Sequence, residues 1–328
     1  MKNFLVFLIA IFLSTSSFAE TPQLEKVKLA QFGQAKFLLY LPLYVAQEEG
    51  YFAEQGLDVE VKFAGNDDQI FAAVISGAVD YGMGDPVFTA IAAEKGFKAK
   101  TLAMLIANLG LMGYTNNSKI SIIEKPEQLA GLRIGSFPAP STTYTILQAL
   151  KASTPSLSNM QIIQGQMGTQ LAALEAGKTD IAVDLEPAVA IAESKGYRSI
   201  LNLSKYTPPM AITGLMATEK HVTAHPDQAQ RMVNALQKAV TAIYQTPDVA
   251  LRTGHKLFPT LGDEVIKRAV DHMIRDALYP HSVVTTDEYW QRTIQSRLDS
   301  GELKKKQATS VAVDNRFAEK AFAQYGKK

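Results

Sequence analysis

In the stretch FPAPSTTY, residues 137–144, two prolines fix the backbone just ahead of three hydroxyl residues, Ser141, Thr142 and Thr143. Hydroxyls at a helix start can hydrogen-bond an oxyanion. The free N–H groups and positive end of the helix favour a carboxylate, sulfonate or similar group there. The same serine suits capping its own helix, and the two roles are compatible. Four acidic residues pull the other way: Asp67, Asp85, Asp184 and Glu186 each stand at or just before a predicted helix start. Capping accounts for such carboxylates in most helices, but one that faces a cleft accepts from ligand N–H groups. Glu186 is the best placed of the four for that. Gln34, Lys36, Phe37, Asn66, Asn108 and Gln166 fall in loops of the same kind. Phe37 and Tyr144 suit either the wall of a site or the core.

Enzyme constellations are poor. The chain has no cysteine, which removes thiol catalysis, disulfides and thiolate metal sites. Its five histidines, His221, His225, His255, His272 and His281, lie in the C-terminal third, outside the predicted cleft, without zinc-site spacing. There is no G-x-S-x-G elbow or phosphate-cradling Walker loop. No catalytic residue, metal ligand or cofactor is therefore assigned.

The elements that must position these loops are written twice. Residues 72–97 and 172–197 share, at a fixed offset, Ala72/Ala172, Ala73/Ala173, Gly77/Gly177, Asp80/Asp180, Ala90/Ala190, Ile91/Ile191, Ala92/Ala192, Lys95/Lys195 and Gly96/Gly196. Each copy reads as a helix stopped by glycine, a short apolar strand, and an acidic residue before a proline that opens the next helix. Around them, strands are expected at 26–32, 58–63, 79–83, 100–106, 132–135, 160–163, 181–183 and 199–203, alternating with helices. That alternation argues for parallel sheets. In such sheets ligands bind beyond the carboxyl ends of the strands, which is where the nominated loops lie. Residues 108–113 and 206–218 read as chain crossings between two units, and the text is helical from Pro226 onward. The expected fold class is α/β, a two-lobed clamshell with mainly parallel sheets, two crossing segments and C-terminal helices. Lobe 1 takes residues 27–110 plus 214–328, and lobe 2 takes 111–213.

The first 19 residues differ in kind. Lys2, the apolar run 4–13 and the small residues Ser17 and Ala19 read as a secretory signal peptide cut after Ala19, sending the protein to the periplasm. A formal charge of +1 offers no basic field for nucleic acid.

Residues 42–60 (PLYVAQEEGYFAEQGLDVE), SGAVDYG at 76–82, LAGLRIG at 129–135 and AGKTDIAVDLEP at 176–187 together resemble the substrate-binding proteins of ABC importers. The subgroup is the one serving nitrate, aliphatic sulfonates, taurine and the pyrimidine precursor of thiamine. The resemblance implies a type II-like periplasmic binding protein: a monomer that closes over a small-molecule ligand and delivers it to an ABC permease at the inner membrane. It also implies ligand loops near Lys36, Asn66, Asp85, Ser141–Thr143 and Glu186. Two other functions fit the same fold, a pyrimidine-metabolising enzyme and a periplasmic ligand-binding sensor subunit. The cysteine cluster of the eukaryotic pyrimidine-synthase relatives is missing, which counts against the enzyme. No arginine falls in the nominated loops. Ligands with N–H donors, or zwitterions, therefore suit Asp85, Asp184 and Glu186 better than nitrate or a sulfonate held bidentately.

Overall fold

A computed structural model describes residues 23–33, 36–139 and 141–326. The expected signal peptide and cleavage point lie outside these residues, as does Gln34. No helix among the described residues is long and apolar enough to cross a membrane.

Ten strands form two five-stranded sheets. They are β1 (Glu25–Gln31), β2 (Leu57–Phe63), β3 (Tyr81–Gly84), β4 (Ala99–Ile106), β5 (Met112–Thr115), β6 (Arg133–Ser136), β7 (Gln161–Gln164), β8 (Ile181–Asp184), β9 (Arg198–Asn202) and β10 (Thr213–Thr218). The first sheet runs β2-β1-β3-β10-β4 and the second β7-β6-β8-β5-β9. The expected parallel pairing holds for β2-β1-β3 and for β7-β6-β8. The remaining two strands of each sheet pair antiparallel, so both sheets are mixed. The reason is connectivity. The stretches read as crossings contain β5 and β10, and each enters its sheet from the opposite lobe.

The helices are α1 (Leu41–Glu48), α2 (Tyr51–Glu54), α3 (Asp67–Ser76), α4 (Val87–Glu94), α5 (Thr142–Ser153), α6 (Gln170–Glu175), α7 (Ala188–Ser194), α8 (Glu219–Ala224), α9 (Pro226–Gln245), α10 (Asp248–Leu257), α11 (Asp263–Arg275), α12 (Asp287–Asp299), α13 (Thr309–Ala312) and α14 (Arg316–Tyr325). The text of α9 shows why it packs: Met232, Val233, Leu236, Ala239, Val240 and Ile243 repeat at helical spacing, and all are buried. They join Leu29, Tyr81, Leu102 and Leu215 in the core of the first lobe. The second lobe has its own core around Ile134, Leu147, Ile181 and Leu201. Leu185 and Ile212 touch both cores and form the neck between them. Strand β4 is an edge strand, yet it is apolar almost throughout. Its outer side is covered, with Thr101 bridging Val313 and its carbonyl accepting from Asp314 N at 2.9 Å.

The repeat is structural. Asp80 Oδ2 accepts from Lys28 N at 2.7 Å, while Asp80 N donates to Lys28 O at 2.9 Å. Asp180 does the same to Arg133, at 2.8 Å in both directions. Each aspartate thus ties the entry of its strand to the strand beside it. Gly77 and Gly177 close their helices in the left-handed region, at φ 75° and 66°. The returning crossing pairs with the chain just ahead of the other, Met210 N donating to Ala107 O at 2.9 Å and Ile212 N to Ile106 O, at the end of β4, at 3.0 Å.

Candidate functional site

At the end of β3 the chain turns into α4, and the turn is built from two aspartates. Asp85 Oδ1 accepts from Val87 N at 2.9 Å and so caps its own helix. Asp67, in the first turn of α3, accepts from Asp85 N at 2.8 Å. That contact needs a glycine beside it: a Cβ on Gly84 would stand 2.4 Å from Asp67 Oδ1. Loss of hydration, then the neighbouring charge of Asp85, pushes the Asp67 carboxyl above the usual carboxylate range. Asn66 is the cap of α3, in a reciprocal capping box with Gln69.

The second oxygen of Asp85 meets Arg297, from α12, whose guanidinium also binds Glu302 Oε2 at 2.8 Å. The nominated loops still hold no arginine; this one comes from outside them. The nominated loops all lie at strand ends, whereas Arg297 arrives on a C-terminal helix. A signal was present: Arg297 extends the buried stripe Trp290, Thr293, Ile294 at helical spacing, and an arginine on an apolar stripe needs an anionic partner.

Facing it across the neck is the start of α5. Ser141 caps that helix, accepting from Tyr144 N at 3.3 Å, and Thr143 is buried in lobe 2. Thr142, Thr145 and Ile146 turn toward lobe 1. With Asp85, Thr293, Ser296 and Arg297 from one lobe, and Met210, Ala211 and Ile212 from the returning crossing, they line a hollow of about 30 Å³. That is space on the scale of a few waters, less than an organic solute occupies. Thr293 is spent on Ala211 O at 2.8 Å. The hollow has a hydroxyl side, an ion-pair end and an apolar side.

Glu186 and Asp184 lie elsewhere. Glu186 is buried; its Oε2 accepts from Ala190 N at 3.0 Å and its Oε1 meets His272 Nδ1 at 2.6 Å. The other ring nitrogen of His272 is 3.6 Å from Glu193, which also pairs with Arg268 at 3.4 Å and accepts from Ser199 Oγ at 2.6 Å. His272 thus reaches a nominated residue, because α11 packs on α7, although neither of the pair lines the hollow. Asp85 and Glu186 each precede the proline of their copy, one residue out of register at the fixed offset, and a C-terminal helix supplies the partner of each. Asp184 accepts from Leu185 N at 2.9 Å, and burial pushes its carboxyl up to about 7.

The remaining nominated residues do other work. Asn108 donates to the carbonyls of Asp276 and Ala277, at 3.0 and 2.8 Å, closing the end of α11. Phe37 is buried against Tyr40, its ring edge-on at 4.9 Å. Lys36 is exposed, its Nζ 5.7 Å from the Tyr44 ring centre. Gln166 is exposed, and its carbonyl accepts from Thr169 Oγ1 at 2.7 Å. Tyr144 accepts from Gln148 at 2.6 Å. Of the expected site residues, the structure brings Asp85 and Thr142 to one hollow, with Asp67 behind Asp85 and Ser141 beside Thr142.

Known proteins agree with this architecture. YtlA of Bacillus subtilis is 23% identical over 312 residues, covering 90% of each chain. The Saccharomyces cerevisiae 4-amino-5-hydroxymethyl-2-methylpyrimidine phosphate synthase THI11 is 33% identical, but over 98 residues only, 29% of this chain and 28% of that one. Among solved structures, the periplasmic aliphatic sulphonate binding protein SsuA of Escherichia coli superposes with a TM-score of 0.68 at 13% identity. That match covers 90% of this chain and 93% of that one. The fold is thus that of a two-lobed periplasmic binding protein. The family model described as NMT1/THI5 like matches residues 39–250, and the chain belongs to that family.

Proposed function

We propose that this protein is the extracytoplasmic solute-binding component of an ABC importer, a monomer in the periplasm that hands its solute to an inner-membrane permease. The observation that supports this most is the hollow at the neck, lined by polar groups from both lobes. Lobe 1 is taken as residues 27–110 plus 214–328 and lobe 2 as 111–213. The two crossings between them are the natural hinge, and closure around a solute stabilises the closed form by mass action. The sulphonate-binding SsuA lends support by its two-lobed shape. Binding without turnover is favoured over an enzyme of the same fold. Two carboxylates near the neck are committed to fixed partners, Asp85 to Arg297 and Glu186 to His272.

A thermal-shift screen of the purified mature protein tests the reading. It would cover sulfonates, nitrate, taurine, pyrimidines, flavins and amino acids. One class should raise the midpoint, by an amount that grows with concentration, and small-angle scattering should show the radius of gyration shrinking in its presence. Chemical conversion of a bound compound, or a screen in which no class shifts the midpoint, would overturn it.

A further inference from the structure

The charge at the ion-pair end of the hollow is already balanced before any solute arrives. Among the described residues that line it, Arg297 is the one cation, and its side chain is 13% exposed. One arm of its guanidinium meets Asp85 and the other meets Glu302. Asp85 is equally committed, with one oxygen on Val87 N and the other on Arg297. Asp67 stands behind it, so any further charge on that side is negative. From the opposite lobe come Thr142 and Thr145, which are neutral, and Ile146. The rest of the wall is Met210, Ala211 and Ile212.

We propose that Arg297, neutralised by Asp85 and Glu302, sets the specificity of this hollow against simple anions and for an uncharged solute. Such a solute would place hydroxyl or N–H groups against Thr142, Thr145 and Ser296 and an apolar face against Ile146, Met210 and Ile212. The inference rests on the hollow being the solute site. Its physics is one of compensation. Two of the five donors of Arg297 already hold carboxylates, so a nitrate or sulfonate must either share the guanidinium with two anions or displace one of them. A displaced carboxylate stays behind, part-buried and without its cation, which costs more than the new contact returns. An uncharged solute leaves the pair intact and displaces only water from hydroxyls and apolar surface.

Calorimetric titration with sodium methanesulfonate and sodium nitrate tests this on the wild type, Asp85→Asn and Glu302→Gln. The amide oxygen that Asp85→Asn introduces can still accept from Val87 N, so the cap of α4 survives, and the thermal midpoint of each variant checks that it is folded. The wild type should show no binding at millimolar anion. Asp85→Asn, which leaves Arg297 short of one carboxylate at the hollow, should bind methanesulfonate at least tenfold more tightly. Glu302→Gln should gain less, because Asp85 still covers the face of Arg297 that meets the hollow. Wild-type binding of methanesulfonate that Arg297→Gln abolishes would overturn the proposal, and so would a folded Asp85→Asn that remains blind to both anions. Neither of those results bears on uptake of an uncharged solute, which the broader screen decides.

Discussion

Glu186 shows how one side chain changes meaning once its partners are known. At the mouth of a helix after a strand, it is the natural candidate for a ligand acceptor. Folded, it is buried, with one oxygen on the N–H of Ala190 and the other on His272. Removing it leaves Nδ1 of His272 and a helix N–H without partners, and each buried polar group so stranded costs about 1–3 kcal/mol. Glu186→Ala should therefore lower the thermal midpoint of the solute-free protein, with Glu186→Gln losing less because the amide oxygen can still accept. An unchanged midpoint, with only solute affinity reduced, would return Glu186 to the binding site. Asp85 precedes the proline of the other repeat but has a different fate, because its partner Arg297 is itself part of the hollow's wall.

The crossing strands β5 and β10 decide how the elements fit. Each carries a glycine where no side chain has room. A Cβ on Gly113 would stand 2.8 Å from Ile181 Cγ2, and one on Gly214 would stand 2.8 Å from the carbonyl oxygen of Ala103. The second clash is with backbone in a paired strand, which cannot swing aside as a side chain can. Gly214→Ala should cost about 1–3 kcal/mol, the usual penalty for overpacking, read as a lower urea midpoint at unchanged slope. A loss below about 0.5 kcal/mol, the range of neutral surface changes, would mean that β10 and β4 can spread. The same glycines explain why both strands read as connections in the sequence. A short run broken by glycine lacks the continuous β-branched text by which strands are recognised.

At the scale of the whole molecule, two lobes of one design are bound into a unit by two crossings and by C-terminal helices that serve both. Helix α12 gives Arg297 to lobe 1, and α11 gives His272 and Arg268 to lobe 2. Burial at the neck has a pH consequence. The Asp184 carboxyl is pushed up to about 7 from an ordinary value of 3.8, chiefly by lost hydration. Between those values the folded state holds a proton that the unfolded chain has released. The stability this contributes is fully present below about pH 4 and is lost as pH rises through about 7. Asp184→Asn removes the titration while keeping an oxygen for Leu185 N. The midpoint of the variant relative to wild type should thus shift in the variant's favour between pH 5 and pH 8. A difference that stays constant with pH would show that Asp184 titrates normally.

By itself the sequence determined the local text: the doubled strand-turn-helix unit, the glycine stops, the cap at Ser141, the C-terminal helices and the two-lobed plan. These rest on periodicity and on backbone preferences that act within a few residues. Only the tertiary structure decided which charges meet. Arg297 lies 212 residues from Asp85 and His272 lies 86 from Glu186. No short-range pattern encodes such distances, because a buried charge is satisfied by whichever partner the packing of helices on lobes delivers to it.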